Sequence, residues 1–517
     1  MKTLRSYAAG HWHEAQSGFS TLYDPSTEEA IARASSEGID FAEVLTYARA
    51  GGETLRAMTF LQRADLLRGM SRALRDSRDE LLALSARSTG TTSGDGSFDI
   101  DGGSGTLAYY GGLGKGFGER RTLLSGDGVQ LGKSEAFFGR HVLVPRHGVA
   151  VCINAFNFPV WGFAEKAACA LLAGMPVIVK PATSTAWLTE RAIEILIEKN
   201  ILPEGALQLV VGSTGDLLDR LGPQDVLAFT GSAATANSLR NRPNLFEESV
   251  RTNVEADSLN AATLGPDVSP GSPAWELFVR DVVREMTQKS GQKCTAVRRI
   301  LAPRERIAEV EAALAAALGK VVTGNPVDPA TTMGPLATSQ QLRDSVAGVA
   351  ALGREARLVT GNGQRIDGNG SPQGKGYFLA PTLLRADDAR SARAIHEREV
   401  FAPVATLLPY DDAPADAAAI VGLGGGTLVG SVYTDDAAWL GDFFAVAATT
   451  TGRLYWGSSA NAAEAPGSGA ALPQMLHGGP GRAGGGAELA GLAGLELYMQ
   501  KVAVQGAKAG VEALLGA

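Results

Sequence analysis

A doubly wound α/β fold built on parallel sheets is predicted by three features of this sequence. From residue 149 onward, apolar runs of strand length alternate with amphipathic stretches of helix length, the spacing that a parallel sheet with crossover helices requires. Several of the apolar runs stop in a short polar turn, as in "INAFNFP", "VIVKPAT" and "AFTGS". A second alternating region extends from about 255 to 460.

Taken in chain order, residues 41–90 carry repeated apolar faces at helical spacing with charged backs and read as helices. Residues 122–148 read as a long hairpin. "GVAVCIN" is a buried strand, "GFAEKAACALLAG" a helix ended by glycine, and "PVIVKPA" a second strand. "TAWLTERAIEILIEKN" is another helix, and "GALQLVVG" and "VLAFTGS" are further strands. Near the end, "LELYMQKVAVQG" reads as a strand able to pair with the hairpin, within the chain or across a subunit interface. Glycines at 421–427 and 478–486 read as tight turns and a loop. Open α/β sheets bind ligands at the carboxyl ends of their strands, so those turns are the places to search for chemistry.

The bulk properties exclude several classes. At 517 residues the chain exceeds one hydrophobic core and predicts two or three domains. A net charge of −8 argues against a nucleic-acid backbone binder. Three cysteines cannot form a disulfide framework, which predicts a reducing, cytoplasmic setting. The first residues lack a signal-peptide core, and "AACALLAGMPVIV" is too short to cross a membrane. No metal centre is expected.

Cys294, in "SGQKCTAVRR", follows a helix with Ser272 as N-cap, Pro273 at its first position and an apolar stripe from Trp275 to Met286. Gly291 is expected to stop that helix, leaving Cys294 on a loop. A free cysteine is commonly a small buried hydrophobe, the reading given to Cys152 and Cys169. Lys293, Arg298 and Arg299 could instead favour a thiolate at Cys294. With no histidine close in sequence, the base must come from elsewhere.

"NAFNFP" (154–159), "VIVKPAT" (177–183), "VVGSTGDLL", "AFTGS" (228–232), "NVEADSLNA" (253–261), "GQKCT" and "EREVFAPV" (397–404) occur in this order. Together they resemble the aldehyde dehydrogenase superfamily from about residue 5 to 506. The resemblance implies a Rossmann-like dinucleotide-binding domain (1–121 and 147–254), an α/β catalytic domain (255–460) and β oligomerisation or bridging segments (122–146 and 461–517). It also implies that Cys294 attacks an aldehyde, that the Asn157 amide and the Cys294 N–H hold the oxyanion, and that Glu255 is the general base.

For the cofactor, the resemblance implies Asn154, Lys180 and Thr183 on one side, with Gly212 and Gly215 at an adenine-side turn. Phe229, Thr230, Gly231 and Ser232 would approach the pyrophosphate, and Glu399 and Phe401 the nicotinamide end. Family members that prefer NAD commonly carry glutamate where this chain has Thr183. NADP is therefore expected, with NAD used less efficiently. "AATA" after "AFTGS", and Ala256 and Asp257 after Glu255, depart from the family pattern. The latter departure resembles the aldehyde dehydrogenase parts of enzymes acting on aromatic-derived CoA thioesters. A semialdehyde on such a thioester is the implied substrate, and a homodimer or dimer of dimers the implied assembly.

Glu165 and Lys166 open the helix after Asn157. Glu165 is either solvated at the helix start or part of a proton relay. Two rival functions are CoA-acylating dehydrogenation, which Glu255 disfavours, and an inactive structural or ligand-binding relative, which the presence of Cys294, Asn157 and Glu255 disfavours.

Overall fold

The computed structural model describes residues 1–516. A seven-stranded sheet carries the first half of the chain. Its strands lie in the order Arg251–Glu255, Val226–Thr230, Ala150–Ile153, Val177–Lys180, Leu207–Leu209, Ser6–Ala8, His11–His13. The first five are mutually parallel and the last two add as an antiparallel edge. After Ala150–Ile153 the chain winds one way through Val177–Lys180 to Leu207–Leu209, then returns to the other flank at Val226–Thr230. The crevice of a doubly wound sheet opens where the winding reverses. Here it lies beyond Ile153 and Thr230.

A second sheet of seven strands runs Arg357–Thr360, Thr382–Arg385, Val404–Tyr410, Arg299–Pro303, Ala261–Leu264, Thr427–Tyr433, Thr451–Gly457. Only Arg357–Thr360 is antiparallel to its neighbour. Arg299–Pro303, Val404–Tyr410 and Thr427–Tyr433 are buried along their whole length, which explains their continuous apolar character.

The hairpin is formed by Leu123–Gln130 and Phe138–Pro145, and Met499–Gly506 pairs antiparallel with the latter from Met499↔Pro145 to Gly506↔Phe138. The terminal strand thus finds its partner within the chain.

The expected helices are present at Phe41–Ala57, Phe60–Asp76, Arg78–Thr89, Trp161–Ala173 and Ala186–Glu198. A 25-residue helix, Ser93–Phe117, was not anticipated, because "SGDGSFDIDGGSGTLAYYGGLGKGF" is rich in glycine, which costs up to about 1 kcal/mol per site relative to alanine. Close packing accounts for it. A Cβ at Gly114 would stand 2.4 Å from Leu172, and one at Gly102 would stand 2.3 Å from the Trp161 ring. In return Asp99 on this helix accepts from Trp161 N at 2.8 Å and Val160 N at 3.3 Å, capping Trp161–Ala173.

The helix before Cys294 begins as expected, with Ser272 accepting from Trp275 N, but ends at Thr287 instead of at Gly291. Lys289 and Ser290 adopt positive φ in the left-handed region, so Gln288–Gly291 forms a tight turn and not a continuation of the helix. Among the described residues no helix is long and apolar enough to cross a membrane.

Candidate active site

Residues at or just beyond the carboxyl ends of three parallel strands, Asn154, Thr230 and Glu255, line one cavity with Cys294. A narrow cavity of about 40 Å³ is lined by Phe98, Asn157, Phe158, Trp161, Glu165, Glu255, Cys294 and His477, among others. A larger one, about 490 Å³, is lined by Thr230, Gly231, Ser232, Glu399 and Phe401. Asn157, Thr230, Glu255 and Cys294 line both cavities and so stand at their junction. A third cavity, about 670 Å³, gathers Lys180, Thr183, Gly212 and Gly215.

Cys294 is held by its backbone. Asn260 Nδ2 donates to the Cys294 carbonyl at 2.7 Å and to that of Ala296 at 2.9 Å. The basic neighbours expected to favour a thiolate are committed elsewhere. Lys293 pairs with Glu285 at 2.6 Å. Arg298 donates to the carbonyls of Ala402 and Gly291, and Arg299 to those of Leu259, Ile420 and Val421. Burial pushes the Cys294 thiol well above its ordinary value, and the charge of Glu255 pushes the same way.

A histidine distant in sequence reaches the thiol. His477 Nε2 stands 3.8 Å from Cys294 Sγ and 3.0 Å from Glu255 Oε2. Glu255 ends a strand, in register with Thr230. Burial alone would raise its carboxyl, but the His477 ring and the Lys166 ammonium outweigh burial and hold it down to about 2. His477 lies on a two-stranded ribbon, Leu476–Gly478 with Ala487–Leu489. That ribbon docks on the strand carrying Glu255: Ala256 N donates to Ala483 O at 3.1 Å, and Gly486 N to Val254 O at 3.1 Å. Only glycine permits this approach, since a Cβ at Gly484 or Gly486 would stand 2.2 or 2.4 Å from Val254 O. The glycine cluster in "HGGPGRAGGG" marked the turn in the sequence, but nothing there showed that His477 faces Cys294.

Glu165 is not solvated, and the first of the two readings for it is set aside. Lys166, 1% exposed, holds Glu165 Oε1 and Glu488 Oε2 at 3.1 Å each and donates to Thr230 Oγ1 at 2.9 Å. Glu488, which sequence reasoning missed, also accepts from Asn253 Nδ2 at 2.9 Å. Burial, with Glu488 and Glu255 nearby, pushes Glu165 up to about 7 against the pull of Lys166.

One residue assigned to the cofactor is turned away from the crevice, and a second lines the other cavity. Phe229 is 2% exposed and packs in the core behind the sheet, because strand alternation turns it away from the crevice. Asn154 lines the narrow cavity beside Cys294, not the larger one. Thr230, Gly231 and Ser232 lie where expected, Ser232 capping the helix Ala233–Arg240. Glu399 accepts from Ser258 N at 3.2 Å and Arg298 at 3.4 Å, while burial, with Asp257 beside it, pushes its carboxyl up to about 8. In the third cavity Lys180 Nζ has only the Pro181 carbonyl as a hydrogen-bond partner among the described residues, and burial lowers its affinity for a proton. Glu37 and Asp216, not singled out from sequence, line the same space.

A half-buried cysteine that shares two cavities with a carboxylate and a carboxamide, at the mouth of a doubly wound sheet, has the arrangement of a nucleophilic α/β enzyme. Residues 12–504 match the aldehyde dehydrogenase family, and the chain belongs to that family. It is 46% identical over 482 residues to a 3,4-dehydroadipyl-CoA semialdehyde dehydrogenase of Aromatoleum evansii, covering 92% of this chain and 93% of that one. Its fold matches betaine aldehyde dehydrogenase of Staphylococcus aureus, solved with NAD+ (TM-score 0.83, 24% identity, 98% and 95% of the two chains). It also matches a 3,6-anhydro-L-galactose dehydrogenase (TM-score 0.84, 22% identity, 98% and 100%). The aldehyde dehydrogenase fold and the oxidoreductase class are thereby established.

Proposed function

We propose that this protein oxidises the aldehyde of a semialdehyde carried on a CoA thioester, of the 3,4-dehydroadipyl-CoA type, to the carboxylic acid. The observation that carries this reading is the position of Asn157, Glu255 and Cys294 at the junction of two cavities, joined to the 46% identity with the Aromatoleum evansii enzyme.

In this reading Cys294 Sγ adds to the aldehyde carbon from the narrow cavity. The resulting oxyanion accepts from the Asn157 amide and the Cys294 N–H, which stabilise the developing charge without neutralising it. A nicotinamide dinucleotide would supply the hydride acceptor. The residues present fit one: Thr230, Gly231 and Ser232 offer a turn and a helix N-terminus suited to phosphate. Lys180 and Thr183 line the adenosine end with Gly212 and Gly215, and Glu399 and Phe401 the nicotinamide end. NADP is preferred, with NAD used less efficiently. Glu255 then takes the proton of the water that releases the acid. Lys166, with Glu165 and Glu488, offers a proton route behind it.

The same reading divides the chain into a dinucleotide-binding unit (1–121 and 147–254), a catalytic unit (255–460) and bridging segments (122–146 and 461–517). It places the protein in the cytoplasm as a homodimer or dimer of dimers, acting without membrane, nucleic-acid or metal partners. The test is a steady-state screen of free and CoA-linked semialdehydes with both cofactors, repeated on Glu255→Gln. Turnover in that variant should fall about 10²- to 10⁴-fold while a stoichiometric burst of reduced cofactor survives. A product that is an acyl-CoA formed from free CoA would contradict hydrolysis.

A further inference from the structure

Cys294, Glu255 and His477 bring their reactive atoms within 4.8 Å of one another. The histidine side chain, 5% exposed, sits on the ribbon fastened to the strand that bears Glu255. Two elements distant in sequence are thus locked together so that one ring nitrogen faces both the carboxylate and the sulfur. With Lys293, Arg298 and Arg299 committed to other partners, His477 is the cation-forming side chain within hydrogen-bond reach of the sulfur among the described residues.

We propose that His477 is a catalytic residue that carries a positive charge beside Cys294 and so sustains its thiolate. The proposal rests on the reading of Cys294 as the nucleophile. In the resting site the thiol faces a Glu255 carboxylate and a His477 imidazolium. On ionisation the S–H bond breaks, the electron pair stays on Sγ, and the proton passes from the half-buried sulfur to solvent water, Glu255 remaining a carboxylate. The imidazolium keeps its proton throughout and becomes the counter-charge of the new thiolate.

The surroundings favour this charge state. Burial opposes a charged ring, but Glu255 outweighs it and Glu165 adds to the effect, so His477 holds its proton above the ordinary histidine range. Arg453 opposes from the neighbouring strand, and Glu488 lies opposite His477 on the paired strand. Without the ring, the thiolate would form among Glu255, Glu165 and Glu399, each of which raises the thiol.

The experiment is the pH dependence of Cys294 alkylation by iodoacetamide, in EDTA, with the adduct located by peptide mass spectrometry. Wild type, His477→Gln and His477→Phe are compared, with circular dichroism as the check on folding. Both variants should shift the midpoint upward by about one pH unit or more, since a cation near a thiol lowers its pKa. At pH 7 their kcat/KM for an aldehyde should fall about 10- to 100-fold, a loss that narrows as pH rises and the thiol ionises unaided. If the Phe variant fails to fold, the Gln variant decides. An unmoved midpoint, or a loss equal at every pH, would overturn the proposal and leave the ring a packing role. Failure of the nucleophile reading would look different: the wild type would alkylate at Cys294 yet retain aldehyde oxidation.

Discussion

Lys166 and Glu488 meet at 3.1 Å, both almost wholly buried, from positions more than three hundred residues apart in the chain. Lys166 also holds Glu165, so one ammonium is shared by two carboxylates beside the narrow cavity. Removing one partner of a buried pair leaves an uncompensated charge and typically costs about 3–5 kcal/mol. Lys166→Met should therefore lower unfolding stability by that amount in chemical denaturation, and adding Glu488→Gln should recover part of it. A Lys166→Met protein as stable as wild type would show that the network carries no strain of charge.

Glu165 gives the network a pH signature. Its carboxyl, pushed by burial up to about 7, is protonated below that pH and cannot accept a proton from the site. If the relay operates, kcat rises as pH passes through about 7, falling about tenfold for each unit below. In Glu165→Gln this limb should vanish from the pH profile. A limb unchanged in that variant would assign it to another group.

Much of this site was legible in the sequence because motifs resembling those of aldehyde dehydrogenases fall at its strand ends. Asn157, Thr230, Glu255 and Cys294 follow apolar runs or a capped helix whose spacing fixes where the chain emerges, and all four line the junction of the cavities. Phe229 was misplaced because the alternation of a strand, which turns one residue in two away from the crevice, was not applied at its last turn. Asn154 points to the opposite cavity for a reason the motif does not encode. His477 and Glu488 were invisible, since both depend on a glycine turn docking against Val254, a contact that joins residues far apart. The helix Ser93–Phe117 was missed because its glycines, unfavourable in isolation, serve contacts with Trp161 and Leu172.

Cofactor choice depends on the third cavity. Thr183 puts a small hydroxyl beside Lys180, leaving room for a 2′-phosphate, although Glu37 and Asp216 line the same space. NADP should be preferred in the ratio of kcat/KM values. Thr183→Glu should reverse that ratio, because one close repulsive pair at intermediate dielectric costs about 4 kcal/mol. A wild type that prefers NAD would point to Glu37 as the selector.

In the three-stranded sheet of Leu123–Gln130, Phe138–Pro145 and Met499–Gly506, the outer edges of the first and last strands have no strand partner among the described residues, and Val129 and Val502 on them are exposed. Unpaired edges of this kind favour association. Light scattering should give a dimer or tetramer of the 53.6 kDa chain, and Val502→Pro should weaken it. A monomer at micromolar concentration would remove the assembly proposal.

The account stands on Cys294 as the atom that attacks the aldehyde. Its most direct test is turnover of Cys294→Ala with an aldehyde and NADP, alongside cofactor binding by fluorescence and the fold by circular dichroism. Turnover should be abolished while binding and fold persist. Retained turnover within about tenfold of wild type, a barrier change near 1.4 kcal/mol, would contradict the assignment.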